Sequence, residues 1–406
     1  MEEKKLKIGN VPNLRFPGFE GEWENRKLGD IANIYDGIHQ TPKYVNEGVK
    51  FVSVENINNL DSTNKFITRE AFDKEYKIKP KKGDILMTRI TAGIIGATAI
   101  IQNNEPLAYY VSLALIRIKE KVGVDFLKCS IETNQFKKEL NKRIIHVAFP
   151  KKINLRDIQE CTTSFPLLAE QNKIAKTMTA INGRIETQNK ILRELNVLKS
   201  SLAKKIFQRK FYFNKEAEFL QDGWREMKMK DVAIIKMGQS PQSLSYNTEK
   251  LGVPLIQGNA DILNRISYPR QYTSSPTRFC EVGDLLLTVR APVGFVAKSR
   301  HQACIGRGVC SIKNRENSVL EYIYQFLLYY ENRWKSIEQG SIFTAVNSLE
   351  IESISIMIPS IAEQTKIAKF LSMLDVKIEL EINILEQMTL SHKVCKLKSQ
   401  GLDFII

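Results

Sequence analysis

Two long stretches of the chain carry apolar residues at intervals that alternate between four and three positions. Each stretch begins with nearly the same segment, LLAEQNKIAKTM at 167–178 and SIAEQTKIAKFL at 360–371, which share seven of twelve residues. This alternation, sustained over several heptads, is typical of a coiled-coil seam. We therefore expect two long helices that pack on each other through these seams. The seam residues are Ile174, Met178, Ile181, Ile185, Leu192 and Leu195 in the first helix and Ile367, Leu371, Leu374, Ile378, Leu385 and Met388 in the second.

Polar residues interrupt both seams at matching steps. Gln188 and Lys199 interrupt the first seam, and Glu381 and His392 interrupt the second at the same interval of 193 residues. Two seams that share phase and interruptions favour helices that pair with each other, with imperfect knobs-into-holes packing at Lys199 and His392. The alternative is a pair of unrelated amphipathic helices in separate bundles.

A segment rich in β-branched residues precedes each long helix. Trp23, Asp30 and Gly37 have counterparts at the same spacing in Trp224, Asp231 and Gly238. The stretch GDILMTR at 83–89 is matched by GDLLLTVR at 283–290, with Val289 inserted. A Gly-Asp turn that leads into an apolar run predicts a buried strand in each half. Helical runs follow at 124–143 and 318–338, so each half is predicted to be a mixed α/β module.

The order of the segments predicts how the helices run. The ends of a domain usually lie near each other, so the second helix begins near the end of the first and returns antiparallel if the seams pair. The predicted fold class is α+β, with two mixed α/β globular modules separated by an antiparallel two-helix coiled coil in a pseudo-twofold repeat. The predicted domains are 1–165 for the first module, 166–210 for the first helix, 211–358 for the second module and 359–406 for the second helix.

Composition and charge indicate the kind of partner. The chain has 406 residues, enough for two or more domains, and a formal net charge of +15. A basic excess of this size favours nucleic acid as the first partner and an anionic membrane as the second. The sequence contains no apolar run of membrane-spanning length, so nothing favours a membrane and no membrane partner is expected. Its six cysteines form no CxxC pair, which makes a reducing cytoplasm the expected location.

Sequence features of catalysis are missing. The chain lacks a GxxxxGK[ST] phosphate loop and the paired prolines of an amino-methyltransferase loop, and its four histidines lack metal-ligand spacing. The glycine pairs in GIIG at 93–96 and GRG at 306–308 are too isolated to indicate a nucleotide site. We therefore expect no catalysis and no metal on this chain.

Polar turns offer candidate DNA-reading residues, because Arg, Lys, Asn, Gln, Ser and Thr read base edges. The turns GIHQTPKY at 37–44 and GQSPQSLSY at 238–246 follow the shared glycines, and VENINN at 54–59 and QGNAD at 257–261 are second candidates. Ordinary polar turns are the alternative for any single residue. Arg89 and Arg290 end the two matching strands, and for them the alternative to a DNA contact is a structural ion pair with Asp84 or Asp284. The predicted DNA-binding residues are Gln40, Thr41, Lys43, Arg89, Lys151, Lys152, Gln239, Ser240, Gln242, Asn259 and Arg290.

The duplicated pattern resembles the specificity subunit of type I restriction–modification systems. The resemblance is carried by LRFPGFEGEW at 14–23, QGNADI at 257–262, the two GD turns and the two AEQxKIAK helix starts, and it spans essentially the whole chain. It implies that each module reads one half of a bipartite DNA site, and that the helices set the spacer and bind two methylation subunits. S-adenosylmethionine, ATP and Mg are then expected on the methylation and restriction subunits and not on this chain.

Two other functions fit the same sequence features. An autonomous DNA-binding protein would bind its target tightly without a partner, and a basic protein–protein scaffold would show no sequence-dependent DNA binding even in a complex. A self-contained restriction–modification enzyme is disfavoured because the chain lacks room for methyltransferase and nuclease motifs. No recognisable motif in the sequence encodes which bases are read, how long the spacer is or whether a restriction subunit is present.

Overall fold

The computed structural model describes residues 15–211, 223–340 and 345–398, with the side chains of 335–340 and 392–398 excepted. The chain divides into two compact units, Met1–Gln188 with Ile384–Ile406, and Asn189–Asn383. Among the described residues, no helix combines the length and apolar character needed to cross a membrane.

The first unit contains a mixed α/β module built around antiparallel strands. The strands are β1 (Glu24–Lys27), β2 (Ala32–Asp36), β3 (Val49–Val52), β4 (Phe66–Ile67), β5 (Ile85–Thr88), β6 (Ile90–Thr91), β7 (Thr98–Ile100), β8 (Leu107–Tyr109), β9 (Leu113–Ile118), β10 (Lys151–Lys152) and β11 (Thr162–Phe165). The largest sheet has the order β2-β9-β5-β7, and a second sheet has the order β4-β3-β8, in which β3 and β8 are parallel. The helices are α1 (Leu28–Ile31), α2 (Arg69–Glu75), α3 (Val124–Ile131), α4 (Asn134–Asn141) and α5 (Leu155–Gln159).

The two faces of β5 pack into different cores of this module. Ile85 and Met87 face a cluster that includes α3 and α4, whereas Leu86 faces a cluster around Phe51 on β3. Because successive side chains of a strand point to opposite faces, β5 is covered on both sides and its sequence is apolar throughout. The run predicted to be helical at 124–143 is two helices, since Thr133 caps a new helix by accepting a hydrogen bond from the Phe136 amide.

The second unit repeats this plan. The strands are β12 (Arg225–Lys228), β13 (Ala233–Met237), β14 (Tyr246–Asn247), β15 (Val253–Ile256), β16 (Ile262–Leu263), β17 (Ile266–Ser267), β18 (Gln271–Thr273), β19 (Phe279–Cys280), β20 (Leu285–Thr288), β21 (Val296–Lys298), β22 (Ala303–Ile305), β23 (Val309–Asn314) and β24 (Ser355–Ile358). The larger sheet has the order β13-β23-β20-β21-β17-β16, and the second sheet has the order β14-β18-β15-β22-β19. The helices of this module are α7 (Met229–Val232), α8 (Leu320–Gly340) and α9 (Ser348–Glu352).

The Gly-Asp turns have the same structural role in both units. The carboxylates of Asp84 and Asp284 each accept a backbone hydrogen bond at 2.9 Å, from the amides of Lys81 and Glu281. At the far end of the strand, Thr88 donates to the carbonyl of Ile94 and accepts from the amide of Ala97. Thr288 makes the same pair of bonds to the carbonyl of Pro292 and the amide of Phe295. The repeated GD and Thr therefore close the two ends of one buried strand.

The two predicted long helices are present as α6 (Leu168–Phe207) and α10 (Ile361–Lys398). All twelve predicted seam residues are buried or half-buried, whereas residues off the seam such as Val197 and Met373 are 69% and 63% exposed. Gln188 and Glu381 are also buried, with 6% and 7% of their surface exposed. The polar interruptions therefore lie on the seam itself. The His392 side chain falls outside the described residues.

Contacts within the second unit run antiparallel between the two helices. Lys199 on α6 forms an ion pair with Asp375 on α10. Further along, just past the end of α6, the ring of Phe211 stacks on Phe370 with centroids 6.4 Å apart. From Lys199 to Phe211 the residue number rises, while that of the contacted residue falls from Asp375 to Phe370. The two segments therefore run antiparallel. The predicted fold class, mixed α/β modules with an antiparallel pair of long helices, is confirmed, and the four domain boundaries stay a prediction.

The glutamine of each AEQ segment fixes its helix to the adjoining module. Gln171 is 3% exposed, accepts a hydrogen bond from the Gly123 amide at 3.0 Å and donates to the Pro166 carbonyl at 2.9 Å. Gln364 is fully buried and makes the same two bonds, to the Val319 amide at 2.8 Å and the Pro359 carbonyl at 2.9 Å. A buried amide needs such partners, which gives a physical reason for its presence in both copies.

Candidate nucleic-acid interface

Five loop segments of the first module lie side by side at one end of its sheets. We call them the first loop array, comprising residues 37–44, 54–59, 89–91, 110–112 and 151–152. Backbone hydrogen bonds join neighbours across the array. The amide of Val111 donates to Ile38 at 2.9 Å, that of Arg89 donates to Ser112 at 2.9 Å, and that of Ile153 donates to Arg89 at 3.0 Å. Segment 54–59 follows β3, whose last residue Val52 accepts a bond from the Tyr110 amide at 3.0 Å. Segments distant in sequence thus form one continuous surface.

The predicted residues of the first array occupy two positions on this surface. Gln40, Thr41 and Lys43 are exposed on the loop that follows β2. Lys151 and Lys152 are exposed on β10, which pairs with the strand directly after Arg89. The array therefore brings six predicted residues into one surface, and five of them present their side chains to solvent.

Arg89 is the sixth predicted residue, and its side chain is buried. It is 8% exposed, and its Nη1 lies 3.3 Å from the Asp36 carboxylate and donates to the Val111 carbonyl at 3.1 Å. The ion-pair partner is thus Asp36 and not Asp84, which binds Arg117 through two hydrogen bonds of 2.9 and 2.6 Å. The hydrogen bond to Asp84 also raises the pKa of Arg117, although partial burial opposes it. The Arg89 contacts tie segment 110–112 to the end of β2.

The second module has the same arrangement. The second loop array comprises residues 238–242, 257–259, 289–290, 306–308 and 345–346. The amide of Gln239 donates to Ile305 at 2.9 Å, that of Val289 to Gly308 at 2.9 Å and that of Val346 to Val289 at 2.9 Å. These bonds join the segments in the order seen in the first array, so both modules carry one scaffold.

Close backbone approach explains the glycines of the arrays. A Cβ added to Gly37 would lie 2.5 Å from Tyr110, and one added to Gly238 would lie 2.1 Å from the Gly306 carbonyl oxygen. At Gly308 an added Cβ would lie 2.2 Å from the Gln257 carbonyl oxygen. Only glycine avoids these clashes, so the shared glycines set the packing of neighbouring loops.

The second array encloses a polar cleft of about 270 Å³. It brings together three predicted residues, Ser240, Asn259 and Arg290, whereas the exposed Gln239 and Gln242 are not among its lining residues. It also adds Arg307, which is absent from the predicted residues because GRG resembles an isolated glycine pair. The signal present in the sequence is an arginine flanked by two glycines. The cleft is lined by Ser240, Gln257, Gly258, Asn259, Arg290, Ala291, Arg307 and Gly308.

Arg89 and Arg290 occupy matching positions but have different surroundings, because the strand that ends in Asp36 in the first module ends in another residue in the second. Asp36 is the last residue of β2, and the last residue of the matching strand β13 is Met237. Arg290 therefore meets no counterpart of Asp36, is exposed, and forms no ion pair within the part of the chain that the structure describes. Its charge is available to a ligand, whereas that of Arg89 is neutralised.

Within residues 15–211, 223–340 and 345–398, no group of three His, Cys, Asp or Glu side chains is arranged to hold a metal ion. The geometry instead provides two surfaces with hydrogen-bond donors and acceptors and with exposed cations. Such surfaces suit a nucleic acid, whose phosphates attract cations and whose base edges carry donors and acceptors.

Comparisons with known proteins agree with this description. Residues 20–197 and 221–390 match the family model described as type I restriction modification DNA specificity domain. Over 409 aligned residues the chain is 30% identical to a candidate type I restriction enzyme MjaX specificity subunit of Methanocaldococcus jannaschii, covering 96% of this chain and 93% of that relative.

Two solved structures share the fold. The crystal structure of a type-I restriction-modification system S subunit from M. genitalium aligns with a TM-score of 0.66 and 16% identity over 97% of this chain and 100% of that one. A chain from work on complex assembly and conformational transition of the type I R-M system aligns with a TM-score of 0.60 and 19% identity over 96% of this chain and 100% of that one. At these identities the likeness concerns the fold alone.

Proposed function

The chain belongs to the family of type I restriction-modification DNA specificity subunits, and we propose from this premise that each loop array reads one half of a bipartite DNA target. Members of this family recognise DNA sequence, and catalysis is carried out by partner subunits. The observation that carries the proposal is the repeated loop array. One backbone scaffold appears in both modules and presents different side chains.

Different side chains on one scaffold imply different half-sites. The first array exposes Gln40, Thr41 and Lys43, whereas the second presents Ser240, Asn259 and Arg290. Hydrogen bonds from such side chains to base edges determine which base is accepted. We therefore expect an asymmetric target in which each half is determined by one module.

Phosphate contacts supply the part of the affinity that does not depend on sequence. The exposed Lys151 and Lys152 belong to the first array, and the basic segment 204–210 spans the C-terminal end of α6. Neutralising a phosphate releases counterions, so each such contact adds about −0.9 to the slope of log affinity against log salt. Binding of the target should weaken steeply as salt is raised.

The long helices are proposed to set the spacer and to bind two methylation subunits. A partner surface is available on α10, where Met373, Val376 and Leu380 lie three and four residues apart and are 63%, 66% and 52% exposed. Apolar side chains aligned on one exposed face are typical of a protein-binding surface. S-adenosylmethionine, and ATP and Mg where restriction subunits are present, are proposed to bind the partner subunits.

The proposal is tested by co-expressing the chain with its methylation subunit and mapping modified adenines across the host genome. The expected result is a split motif with two different halves and a fixed gap. A single continuous motif would contradict bipartite reading. Tight, specific binding by the purified chain alone would instead favour an autonomous DNA-binding protein.

A further inference from the structure

Arg290 and Arg307 are the two arginines that line the cleft of the second array. Two other arginines of this module form ion pairs: Arg265 binds Glu331 at 2.7 and 3.0 Å, and Arg270 binds Asp261 at 3.0 Å. Arg290 and Arg307 are exposed, line the same cleft and form no ion pair within the described ranges. Two unneutralised guanidinium groups that converge on one cleft are arranged for a ligand rich in acceptors.

The backbone beneath Arg307 is fixed before any ligand binds. Its amide donates to the Ser240 hydroxyl at 3.1 Å, and its Nε lies 3.4 Å from the same oxygen. The Gly306 amide donates to Ile256 at 2.8 Å, and Gly308 has no room for a Cβ beside Gln257. A side chain that leaves such a constrained turn is presented in a preorganised direction, which is required for specific reading.

The chemistry of the cleft suits a base edge better than a phosphate. Arginine presents a planar fork that binds O6 and N7 of guanine bidentately, which is the commonest specific contact in the major groove. The Asn259 amide adds an acceptor as well as donors beside the two arginines, and the Ser240 hydroxyl, whose oxygen already accepts both bonds from Arg307, can still donate. A site for phosphate alone needs only donors. The exposed cations predicted in the first array are lysines, which act as point charges.

We infer that Arg307 and Arg290 are base-reading residues of the second module and that they select guanine. This inference rests on the proposed function, because it assigns the bases read by one of the two half-sites. It also predicts that the modules differ in kind, since the arginine at the matching position of the first module is held by Asp36.

The test uses the complex of the full chain with its methylation subunit. Binding is measured on duplexes that carry the genomic motif or the motif with one guanine replaced. Arg307→Lys and Arg290→Lys keep the charge and lose the fork. Each is expected to reduce discrimination at one guanine of the same half-site by about 10- to 100-fold, with the other half-site and the gap unchanged. Arg300→Lys is the matched control. Arg300 is exposed and follows Ser299, whose amide donates to Asp284 at the start of β20, so it lies at the end of that strand away from Arg290. The substitution should leave discrimination unchanged.

Three outcomes separate the possibilities. Unchanged guanine discrimination in both lysine variants would overturn the inference and indicate phosphate contacts. A wild-type motif without guanine in either half would also overturn it, while leaving bipartite reading intact. Failure of the wild-type complex to modify any split motif would instead contradict the proposed function.

Discussion

Lys199 on α6 forms an ion pair with Asp375 on α10, and the other carboxylate oxygen of Asp375 accepts a hydrogen bond from Gln325 of α8 at 2.8 Å. The side chains of Lys199 and Asp375 are 15% and 39% exposed. One carboxylate therefore joins both long helices and a helix of the second module. A lysine on the seam disfavours knobs-into-holes packing. The ion pair with Asp375 explains how α6 accommodates Lys199 at this position.

A double-mutant cycle on Lys199→Ala and Asp375→Ala should show a coupling of about 0.5–1 kcal/mol in the free energy of unfolding, the range of a partly exposed ion pair. Urea denaturation of the four proteins measures it. The coupling should shrink as salt is raised, because exposed charges are screened.

The matched control for this cycle is the pair Lys190 and Glu194 on α6. These side chains are 69% and 68% exposed and lie 3.9 Å apart. Their cycle should give no measurable coupling. Equal coupling in both cycles would show that the contact between helices has no special weight.

Replacing either buried glutamine should destabilise one unit more than the other. Gln364→Ala leaves the Val319 amide and the Pro359 carbonyl without their partner, at a cost of about 2–3 kcal/mol. Gln171→Ala should have the same effect on the first unit. Urea unfolding followed by hydrogen exchange assigns the loss to a unit. The exposed neighbour Lys366→Ala is the control, and a loss as large as that of Gln364→Ala would argue against the hydrogen-bond explanation.

Alanine substitutions at Arg89 and Arg290, which occupy matching positions, should differ in their effects on stability and DNA binding. Arg89→Ala leaves Asp36 without its guanidinium and is expected to lower stability by about 1–3 kcal/mol, measured by calorimetry. Arg290→Ala removes an exposed side chain and should leave stability unchanged while it weakens binding to the target. A loss of stability at Arg290 or an unchanged stability at Arg89 would reverse these assignments.

Four buried thiols should be unreactive in the folded protein. Burial raises the pKa of Cys161 to about 11 and that of Cys310 to about 12, and it also raises the pKa of Cys280. The thiolate is the reactive form, so a raised pKa slows attack at these three thiols, and burial slows it at all four. In a Cys129→Ser, Cys395→Ser background, Ellman's reagent at pH 8 should detect thiols only after denaturant is added. Rapid reaction of any thiol in native buffer would contradict the described cores.

The same shifts give a direction for the effect of pH on stability. A thiol with a raised pKa in the folded state stays protonated while the unfolded chain loses its proton. Stability is therefore unaffected well below the ordinary pKa of 9.0 and falls as pH rises between 9 and the raised value. Unfolding free energies of the same background protein at pH 8 and pH 10 measure this fall.

The long helices could be predicted from the sequence because their signal is periodic and local. Every seam residue from Ile174 to Leu195 is buried or half-buried, as the four-three spacing requires. The Gly-Asp turns were predictable for a similar reason, since the turn and the apolar strand are adjacent in sequence. Asp84 and Thr88 close this strand through short-range hydrogen bonds.

The loop arrays could be predicted only in part, because they depend on contacts between distant segments. Arg89 and Arg290 occupy matching places in the sequence, yet Asp36 and Met237 decide their different environments from about fifty residues away. Arg307 joins the cleft through Gly306 and Gly308, whose packing against Gln257 has no local signature. The domain boundaries and the base contacts stay predictions.

Lengthening both long helices tests the central proposal, that two modules read separate half-sites at a distance set by these helices. Four residues are inserted after Gln188 and after Glu381, the matching seam positions of α6 and α10. One extra turn adds about 6 Å to each helix, which corresponds to one or two base pairs. Genome-wide mapping of modified adenines should then show both half-sites unchanged and the gap longer by one or two base pairs. An unchanged gap, or altered half-sites, would contradict the account.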